Sequence, residues 1–331
     1  MVVFMGKYAL YRNKLSAPFL GEGGDMNLQC IGLRSMFVSP DVLPRAVTAL
    51  MAGFLLLAPA ASAFAACPDP AQAEARVKKW EQAEPIRGLP AGLKMDEAVC
   101  MRDELVNVLQ RRLGRVIGYK AGLTSKAVQQ RFGYDRPVRG VLLAGMLRPE
   151  TRDPLSAAFG ARPVVEADLL VEVRDESINE ARTHLDVLKA LARVIPFIEL
   201  PDLAIAEGEP VTGPIITAIN VGARQGVFGL QRVPVVASQA FADMLAGMRV
   251  VVTDADGKTL SDSPGTAILG HPLNAVLWLI DDLRRSGIRL KAGDLLSLGT
   301  FSPPLPARAA SSVTVRYFGL PGDPEVAVRF R

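Results

Sequence analysis

Hydrophobic and polar positions along the chain predict a mixture of strands and helices. We assign strands where apolar residues run continuously or alternate, and helices where they recur every three or four positions. The predicted strands are Val116–Ala121, Arg162–Val173, Ile195–Leu200, Arg249–Asp254, 294–298, 312–318 and 325–330. The predicted helices run from Asp96 to near Gly114, from a cap at Thr124 or Ser125 to Gly133, from Thr183 to Val194 and from Pro272 to Arg285.

A short apolar run near the N-terminus has the pattern of a signal peptide. Arg45 precedes the apolar segment 46–58, which Pro59 and the small-x-small sequence ending at Ala65 follow. A charged start, a short apolar middle and a small-residue cleavage site are the three parts of such a signal. A membrane span needs about 20 apolar residues, and this run reaches that length only through Pro59. We therefore expect cleavage after Ala65 and a periplasmic or secreted protein. The alternatives are an uncleaved anchor and a lipid on Cys67.

This signal divides the chain into four predicted segments. It would begin naturally at Met36, so the residues before it are interpreted as the product of a mis-assigned start. The segments are an upstream stretch (1–35), the signal peptide (36–65), an N-terminal helical region (66–115) and a β-rich catalytic domain (116–331).

Three cysteines limit the disulfide chemistry of the exported form. Cys30 would be lost with the leader, which leaves Cys67 and Cys100. In an oxidising compartment these two can form one disulfide. The alternative is a pair of unrelated thiols.

Charge and histidine content exclude several classes of protein. The formal net charge is +4, half of it in residues 1–65, and no basic block follows, so we expect no nucleic-acid partner. No membrane association is expected beyond the signal peptide. With only two histidines in the chain, a histidine-dependent hydrolase is disfavoured.

Two acids alternate inside one predicted apolar strand. In the strand Arg162–Val173, the period of two places Glu166 and Asp168 on the same face, and Glu199 ends a similar apolar stretch. Buried like charges this close are unfavourable unless a cation or a proton neutralises them. Carboxylate oxygens suit Mg²⁺ or Mn²⁺ better than Zn²⁺, which prefers His and Cys. The pattern predicts a three-carboxylate metal site, and the alternative is an exposed strand with solvated acids.

Five short motifs resemble those of the 2-keto-4-pentenoate hydratases, in the same order and with similar spacing. The resemblance extends from about residue 95 to the C-terminus, and the order of the motifs makes it specific. They are Gly118-Tyr-Lys-Ala-Gly-Leu-Thr-Ser125, Val128-Gln-Gln130, Glu166-x-Asp168, Pro196-Phe-Ile-Glu199 and Gly270-His-Pro-Leu-Asn274.

This resemblance implies an α+β fold of the fumarylacetoacetate-hydrolase-like type, a mixed β-roll or barrel with surrounding helices. It also implies Mg²⁺ (or Mn²⁺) on the acids that match Glu166, Asp168 and Glu199, where the metal would chelate a 2-oxo acid substrate and polarise it. A homo-oligomer is a further implication.

Lys120 matches the lysine of the family's Gly-x-Lys-x-Gly motif, which implies a catalytic role: it would bind the substrate carboxylate or move a proton. Its alternative is a lysine paired to a structural acid. Asn220, Thr300 and His271 are further candidates for substrate binding. His271 precedes a helix-start proline and therefore also fits a helix cap, whereas His184 is expected to face solvent.

Three departures from the family pattern leave the exact reaction open. Ile219 stands where hydratases usually have an acid, Pro264 falls where a Gly-Arg-Gly segment is usual, and Tyr119 replaces a common arginine. We expect an exported metal-dependent lyase of the hydratase type, acting on a short unsaturated 2-oxo acid such as 2-hydroxypenta-2,4-dienoate. The alternatives are a 4-oxalocrotonate-type decarboxylase, a C–C hydrolase and a non-catalytic periplasmic 2-oxo acid binding protein.

Overall fold

Residues 70–331, the part of the chain that the computed structural model describes, contain α-helices packed on two β-sheets. The predicted signal peptide, the stretch before it and Cys67 lie outside the described residues. The helices are α1 (Pro70–Glu81), α2 (Met95–Leu113), α3 (Lys126–Arg131), α4 (His184–Ala190), α5 (Gly213–Ala218), α6 (Gln239–Gly247) and α7 (Pro272–Arg285). The strands are β1 (Val116–Gly122), β2 (Val138–Leu143), β3 (Leu147–Pro149), β4 (Val164–Val173), β5 (Leu191–Leu200), β6 (Gln225–Phe228), β7 (Val233–Pro234), β8 (Arg249–Asp254), β9 (Thr259–Pro264), β10 (Leu295–Ser297), β11 (Leu305–Pro306), β12 (Ser312–Phe318) and β13 (Glu325–Arg329).

The larger sheet is mixed and curls into a half-barrel. Its order is β2-β1-β10-β4-β5-β6-β3, with β11 on β4 and β7 on β5, and the β1–β10 and β3–β6 pairs are parallel. The smaller sheet is antiparallel with the order β13-β12-β8-β9. This arrangement confirms the predicted α+β class and its mixed β-roll.

Strands β4 and β5 form the centre of the larger sheet. Both are ten residues long and mostly apolar, and they pair antiparallel with Glu166 opposite Glu199 and Leu170 opposite Ile195. Most of their side chains are buried on both faces, as expected for strands that lie between other layers of the fold.

The predicted helix Thr183–Val194 is wrong in its second half. Thr183 caps α4 as its hydroxyl accepts a hydrogen bond from Asp186 N at 3.2 Å, but the helix ends at Ala190. From Leu191 onwards the chain pairs with β4, and Val194 lies opposite Val171. The continuous hydrogen-bonded ladder outweighs the helical spacing of the leucines, because local propensity is a weak preference that tertiary pairing overrides.

Two elements near the N-terminal side were not predicted. Helix α1 has only three apolar residues at helical spacing, Ala73, Val77 and Trp80, and they pack against α2. Strand β2 pairs antiparallel with β1 and lies beneath α2 and α5. The predicted helix from Asp96 is confirmed as α2, and the predicted cap at Ser125 is confirmed at the start of α3.

Helix α2 carries Cys100, which is disulfide-bonded. Its predicted partner, Cys67, lies outside the described residues, so the pairing of these two cysteines stays a prediction. Within residues 70–331, no helix is both long enough and apolar enough to span a membrane.

A buried tyrosine joins the smaller sheet to the centre of the larger one. The hydroxyl of Tyr317 on β12 donates to the carbonyl oxygens of Asp168 and Phe197, the latter at 3.1 Å, and accepts from Phe197 N at 3.2 Å. Tyr317 is fully buried, and burial raises the pKa of its phenol. The neutral hydroxyl therefore holds together the backbones of β4 and β5 next to their carboxylates.

We expect Tyr317→Phe to lower the free energy of unfolding by about 1–3 kcal/mol, since it leaves buried backbone groups of Asp168 and Phe197 without their partner. Urea denaturation measures this loss. Tyr134→Phe is the matched control, because the Tyr134 hydroxyl makes no hydrogen bond with any residue that the structure describes. Equal stabilities of the two variants would contradict the role assigned to Tyr317.

Candidate functional site

Three carboxylates lie on one face of the β4–β5 pair. Glu166 is directly opposite Glu199 in the register, and Asp168 is two residues along β4 on the same face. Asp168 and Glu199 are buried, at 0% and 2% exposure, whereas Glu166 is partly exposed. The predicted alternation of Glu166 and Asp168 is therefore present, and it brings Glu199 to them from the neighbouring strand.

Asp168 is held by the end of strand β10. The hydroxyl of Ser297 donates to Oδ2 at 2.6 Å, and the backbone N–H groups of Leu298 and Gly299 donate to Oδ1 at 3.1 Å each. Gly299 has φ +107°, a conformation that favours glycine, and a side chain there would collide with Thr124. The tight turn after β10 thus supplies fixed donors to a buried carboxylate.

Lys120 reaches the same face from β1. It is 3% exposed, and its Nζ donates to Glu199 Oε1 and, at 3.1 Å, to the carbonyl oxygen of Val221. Its aliphatic stem passes over Gly140, where an added Cβ would lie 2.8 Å from Lys120 Cγ and 2.9 Å from Asn220 O. The absence of a side chain on β2 at this point allows the lysine to reach Glu199.

The carbonyl oxygen of Val221, which accepts a hydrogen bond from Lys120, belongs to a strained turn. Asn220, Val221 and Gly222 have successive φ values of +57°, +54° and +68°. Positive φ is unfavourable for a β-branched residue such as Val221. Strain of this kind persists only where the surrounding structure enforces it and is concentrated at functional sites.

The site carries more negative than positive charge among its nearest groups. Burial raises the pKa of Glu166 to about 7, and the charge of Glu199 adds to the shift while Lys120 opposes it. Burial and Glu199 also raise the pKa of Asp168, although Ser297 and the backbone donors oppose that shift. One ammonium therefore faces three carboxylates, which favours an additional cation or bound protons.

Carboxylate oxygens are the ligands that Mg²⁺ and Mn²⁺ prefer, so Glu166, Asp168 and Glu199 are chemically suited to bind such an ion. Within residues 70–331, however, no group of three His, Cys, Asp or Glu side chains is placed to hold a metal ion as it stands. Glu199 is turned towards Lys120 and Asp168 towards Ser297, whereas Glu166 has no hydrogen-bond or ion-pair partner among the described residues. Metal binding would require the free oxygens of these carboxylates to turn towards one another.

The other predicted site residues use their polar atoms within the protein. The Asn220 amide accepts from Val141 N at 2.7 Å and donates to Val141 O at 2.9 Å. The Thr300 hydroxyl donates to Ser302 O at 2.8 Å. Asn220 therefore supports the strained turn, and Thr300 lies one residue after the Gly299 amide that binds Asp168. Contact of either with substrate stays a prediction.

His271 is a helix cap. Its Nδ1 accepts from Leu273 N at 3.0 Å at the start of α7, and its Nε2 donates to Ala242 O at 3.1 Å. Its ring stacks on His184 with a centroid distance of 4.0 Å. The expectation that His184 faces solvent is wrong, because this ring is half-buried and its Nε2 is hydrogen-bonded to Asn274 Oδ1 at 2.8 Å.

Comparison with known proteins assigns a family. No protein-family model matches the chain. It is 32% identical to the 2-keto-4-pentenoate hydratase of Burkholderia vietnamiensis over 218 residues, 66% of this chain and 80% of that relative. It is 31% identical to the TodF product hydratase of Pseudomonas putida over 239 residues, 71% of this chain and 85% of that relative.

The chain belongs to the 2-keto-4-pentenoate hydratase family. This membership places it among hydro-lyases. A solved structure of 4-oxalocrotonate decarboxylase from Pseudomonas putida G7, complexed with magnesium and adipate, has the same fold. Its TM-score is 0.69 at 25% sequence identity, and the similarity covers 79% of this chain and 97% of the decarboxylase. A second structure of that decarboxylase, complexed with calcium and acetate, matches with a TM-score of 0.68.

The three departures from the hydratase pattern lie on the opposite face of the sheet, in an apolar cluster or in the smaller sheet. Tyr119 neighbours Lys120 on β1 and so faces the opposite side of the sheet, where the Arg139 guanidinium lies 5.7 Å from its ring. Ile219 is buried in an apolar cluster with Ile215, next to the strained turn. Pro264 ends β9 in the smaller sheet.

Sequence reasoning missed the groups that fix Asp168 and Lys120 in place. These are Ser297 and the Leu298 and Gly299 amides around Asp168, and the Val221 carbonyl on Lys120. Backbone donors and acceptors leave no mark in the sequence. Ser297 and Gly299 did carry a signal, as a hydroxyl residue and a glycine at the end of a predicted strand.

We expect Glu166→Gln to stabilise the metal-free protein above pH 7. Between its ordinary pKa of 4.5 and the folded-state pKa of about 7, folded Glu166 holds a proton that the unfolded chain releases. The free energy of unfolding therefore falls as the pH rises through this window. The variant avoids this loss, which is on the order of 3 kcal/mol at pH 8, and the gain should vanish towards pH 4.5.

Urea denaturation in a metal chelator at several pH values tests this expectation. Glu172→Gln is the matched control, because Glu172 lies on the same face of β4 but pairs with Arg193 at 3.2 Å. A Glu166→Gln gain that does not depend on pH, or an equal gain in the control, would contradict the raised pKa.

Proposed function

We propose that this member of the hydratase family adds water to a short unsaturated 2-oxo acid such as 2-hydroxypenta-2,4-dienoate, with a divalent metal on Glu166, Asp168 and Glu199. The observation that carries the proposal is the carboxylate face of β4 and β5, where three acids face one ammonium. Magnesium and calcium in the structures of the similar decarboxylase support a divalent ion. We expect Mg²⁺ or Mn²⁺ here.

When bound, the ion would supply Lewis-acid polarisation of the 2-oxo acid. The carboxylates would hold it, and the donors from the end of β10 would favour the ionised form of Asp168 and orient its carboxylate. Ligand residues fixed in this way lose little conformational entropy on binding, which is the advantage of a preorganised site.

Lys120 is suited to hold the substrate or a proton. Two of its three N–H groups are directed at Glu199 and Val221, which leaves one for a substrate oxygen. In the proposed reaction the dienol loses its 2-hydroxyl proton and gains a proton at C5, after which water adds its oxygen at C4 and a proton at C3. Lys120 Nζ is placed to bind the carboxylate or to transfer one of these protons.

Decarboxylation of a 4-oxalocrotonate-like substrate is the second candidate. The observation that favours it is the extent of the structural similarity, which covers 97% of the 4-oxalocrotonate decarboxylase. Addition of water leaves the carbon count unchanged, whereas decarboxylation releases carbon dioxide. Product analysis with both substrates therefore separates the two reactions.

Export to the periplasm or beyond is part of the proposal. The signal-peptide pattern that ends at Ala65 supports it. The disulfide-bonded state of Cys100 supports it as well, since stable disulfides belong mainly to oxidising compartments. The proposed partners are a 2-oxo acid and further copies of the chain, with no nucleic acid.

We expect Glu166→Ala combined with Asp168→Ala to abolish metal binding and to lower turnover about a thousandfold or more, because these two residues supply most of the proposed ligand oxygens. Calorimetric titration with Mg²⁺ or Mn²⁺ measures the first effect, and metal-dependent loss of dienoate absorbance measures the second. Circular dichroism checks that the variant is folded.

The matched control is Glu172→Ala combined with Glu176→Ala, which removes the same charge from the other end of β4 and the turn after it. Metal affinity retained by the Glu166 and Asp168 variant would exclude the assigned site. Binding of 2-oxopentanoate by the native protein without turnover of any dienoate or oxalocrotonate would favour the non-catalytic alternative.

We expect the exported protein to contain no free thiol at Cys67 or Cys100 before reduction and two after it. Thiol labelling under denaturing, non-reducing conditions measures both. Cys100→Ser is the control and should expose one thiol, at Cys67. Two labelled thiols in the unreduced native protein would exclude the bridge and weaken the case for export.

A further inference from the structure

A cavity lies between α1, the segment 86–93 and α2. Its volume is about 640 Å³, and Lys120, Glu166, Asp168 and Glu199 are not among the residues that line it. It is therefore separate from the carboxylate face. The charged residues that line it are Arg76, Lys79, Arg87 and Glu97.

Arg76 is a buried cation that forms no ion pair with any residue that the structure describes. It is 9% exposed, its Nη2 donates to Gln72 Oε1 at 3.1 Å, and its Nη1 is buried with no hydrogen-bond partner. Burial lowers the pKa of this guanidinium. A buried charge without a partner is destabilising, so this arrangement favours a bound anion.

The other charges around the cavity do not neutralise Arg76. Neither Lys79 nor Arg87 forms an ion pair with any residue between 70 and 331. Glu97 Oε2 accepts from Lys94 N at 2.9 Å and so caps α2. Glu209, which does not line the cavity, accepts from Gly88 N at 3.1 Å. Among the described residues, the cavity is thus lined by three cations and by one acid that already accepts a hydrogen bond.

The remaining wall of the cavity is largely apolar. It is formed mainly by Ile86, Leu89, Pro90, Leu93 and Met101. Inorganic anions are strongly hydrated and gain nothing from such a surface, whereas a hydrocarbon chain is stabilised when it is buried there.

We propose that this cavity binds a small amphipathic carboxylate, with its anionic group on the guanidinium of Arg76 and its hydrocarbon part against the apolar wall. Arginine suits this role because its planar N–H groups match the two oxygens of a carboxylate. Lys79 and Arg87 add positive charge at the same cavity.

The test is calorimetric titration of the metal-free mature protein with hexanoate, with hexanol as the uncharged probe of the same length. We expect saturable binding of hexanoate, at least tenfold weaker binding of hexanol, and a loss of at least tenfold in hexanoate affinity in Arg76→Met. Lys78→Met is the matched control, since Lys78 is an exposed cation on the same helix that does not line the cavity. Its affinity should equal that of the native protein.

Thermal unfolding gives an independent readout. Since Arg76→Met removes an unpartnered buried charge and keeps the length of the side chain, it should match or exceed the melting temperature of the native protein without ligand. Hexanoate should raise the melting temperature of the native protein and not that of the variant. If Arg76→Met does not fold, Lys79→Met combined with Arg87→Met should still weaken hexanoate binding severalfold.

Three results would overturn the proposal. These are no hexanoate binding by the native protein, equal binding of hexanol, and undiminished hexanoate binding by the folded Arg76→Met variant. The last result would place any bound hexanoate elsewhere, including the carboxylate face.

Discussion

The opposition of Glu166 and Glu199 across the β4–β5 ladder is the constraint on which the rest of the site depends. Like charges directly opposite each other in a sheet are destabilising, and here the strands are buried and Asp168 is close by on the same face. Only an opposite charge, a proton or strong hydrogen-bond donors can stabilise such a group of acids. Each neighbouring feature of the site supplies one of these.

The positions of the compensating groups follow from the topology. Strand β1 runs parallel to β10, which itself pairs with β4, so Lys120 and Ser297 lie side by side on the face that carries the acids. The turn after β10 adds two backbone N–H groups. The strained turn at Val221 then fixes the ammonium of Lys120 between a carboxylate and a carbonyl. The destabilising charges are thereby held in one geometry, as a preorganised site requires.

The sequence predicted what depends on local pattern and missed what depends on distant pairing. Alternation along β4 was sufficient to place Glu166 and Asp168 on one face, because the period of a strand is fixed. The helix from Thr183 was extended too far, because nothing in Leu191–Val194 reveals that these residues pair with β4. Helix α1 was not predicted because only three apolar residues lie at helical spacing along it.

The same distinction applies to the site. The three acids and Lys120 could be proposed from motif and alternation, whereas the donors around Asp168 could not, as two of them are backbone groups. Lys120 can extend to Glu199 only because residue 140 on β2 is a glycine, and β2 is a strand that the hydrophobic pattern did not predict.

The departures at Ile219 and Pro264 lie on elements of the fold other than those that carry the carboxylates and Lys120. The carboxylates are on the adjacent strands β4 and β5, and Lys120 is on β1 of the same sheet, with β10 between β1 and β4, so any shift would alter several hydrogen bonds at once. Ile219 instead lies at the end of the short helix α5, and Pro264 at the end of a strand in the other sheet. An apolar residue in place of an acid next to the turn that holds Lys120 changes the polarity near the site without moving the acids. Neither departure therefore interrupts the β4–β5 pairing that places the three acids on one face.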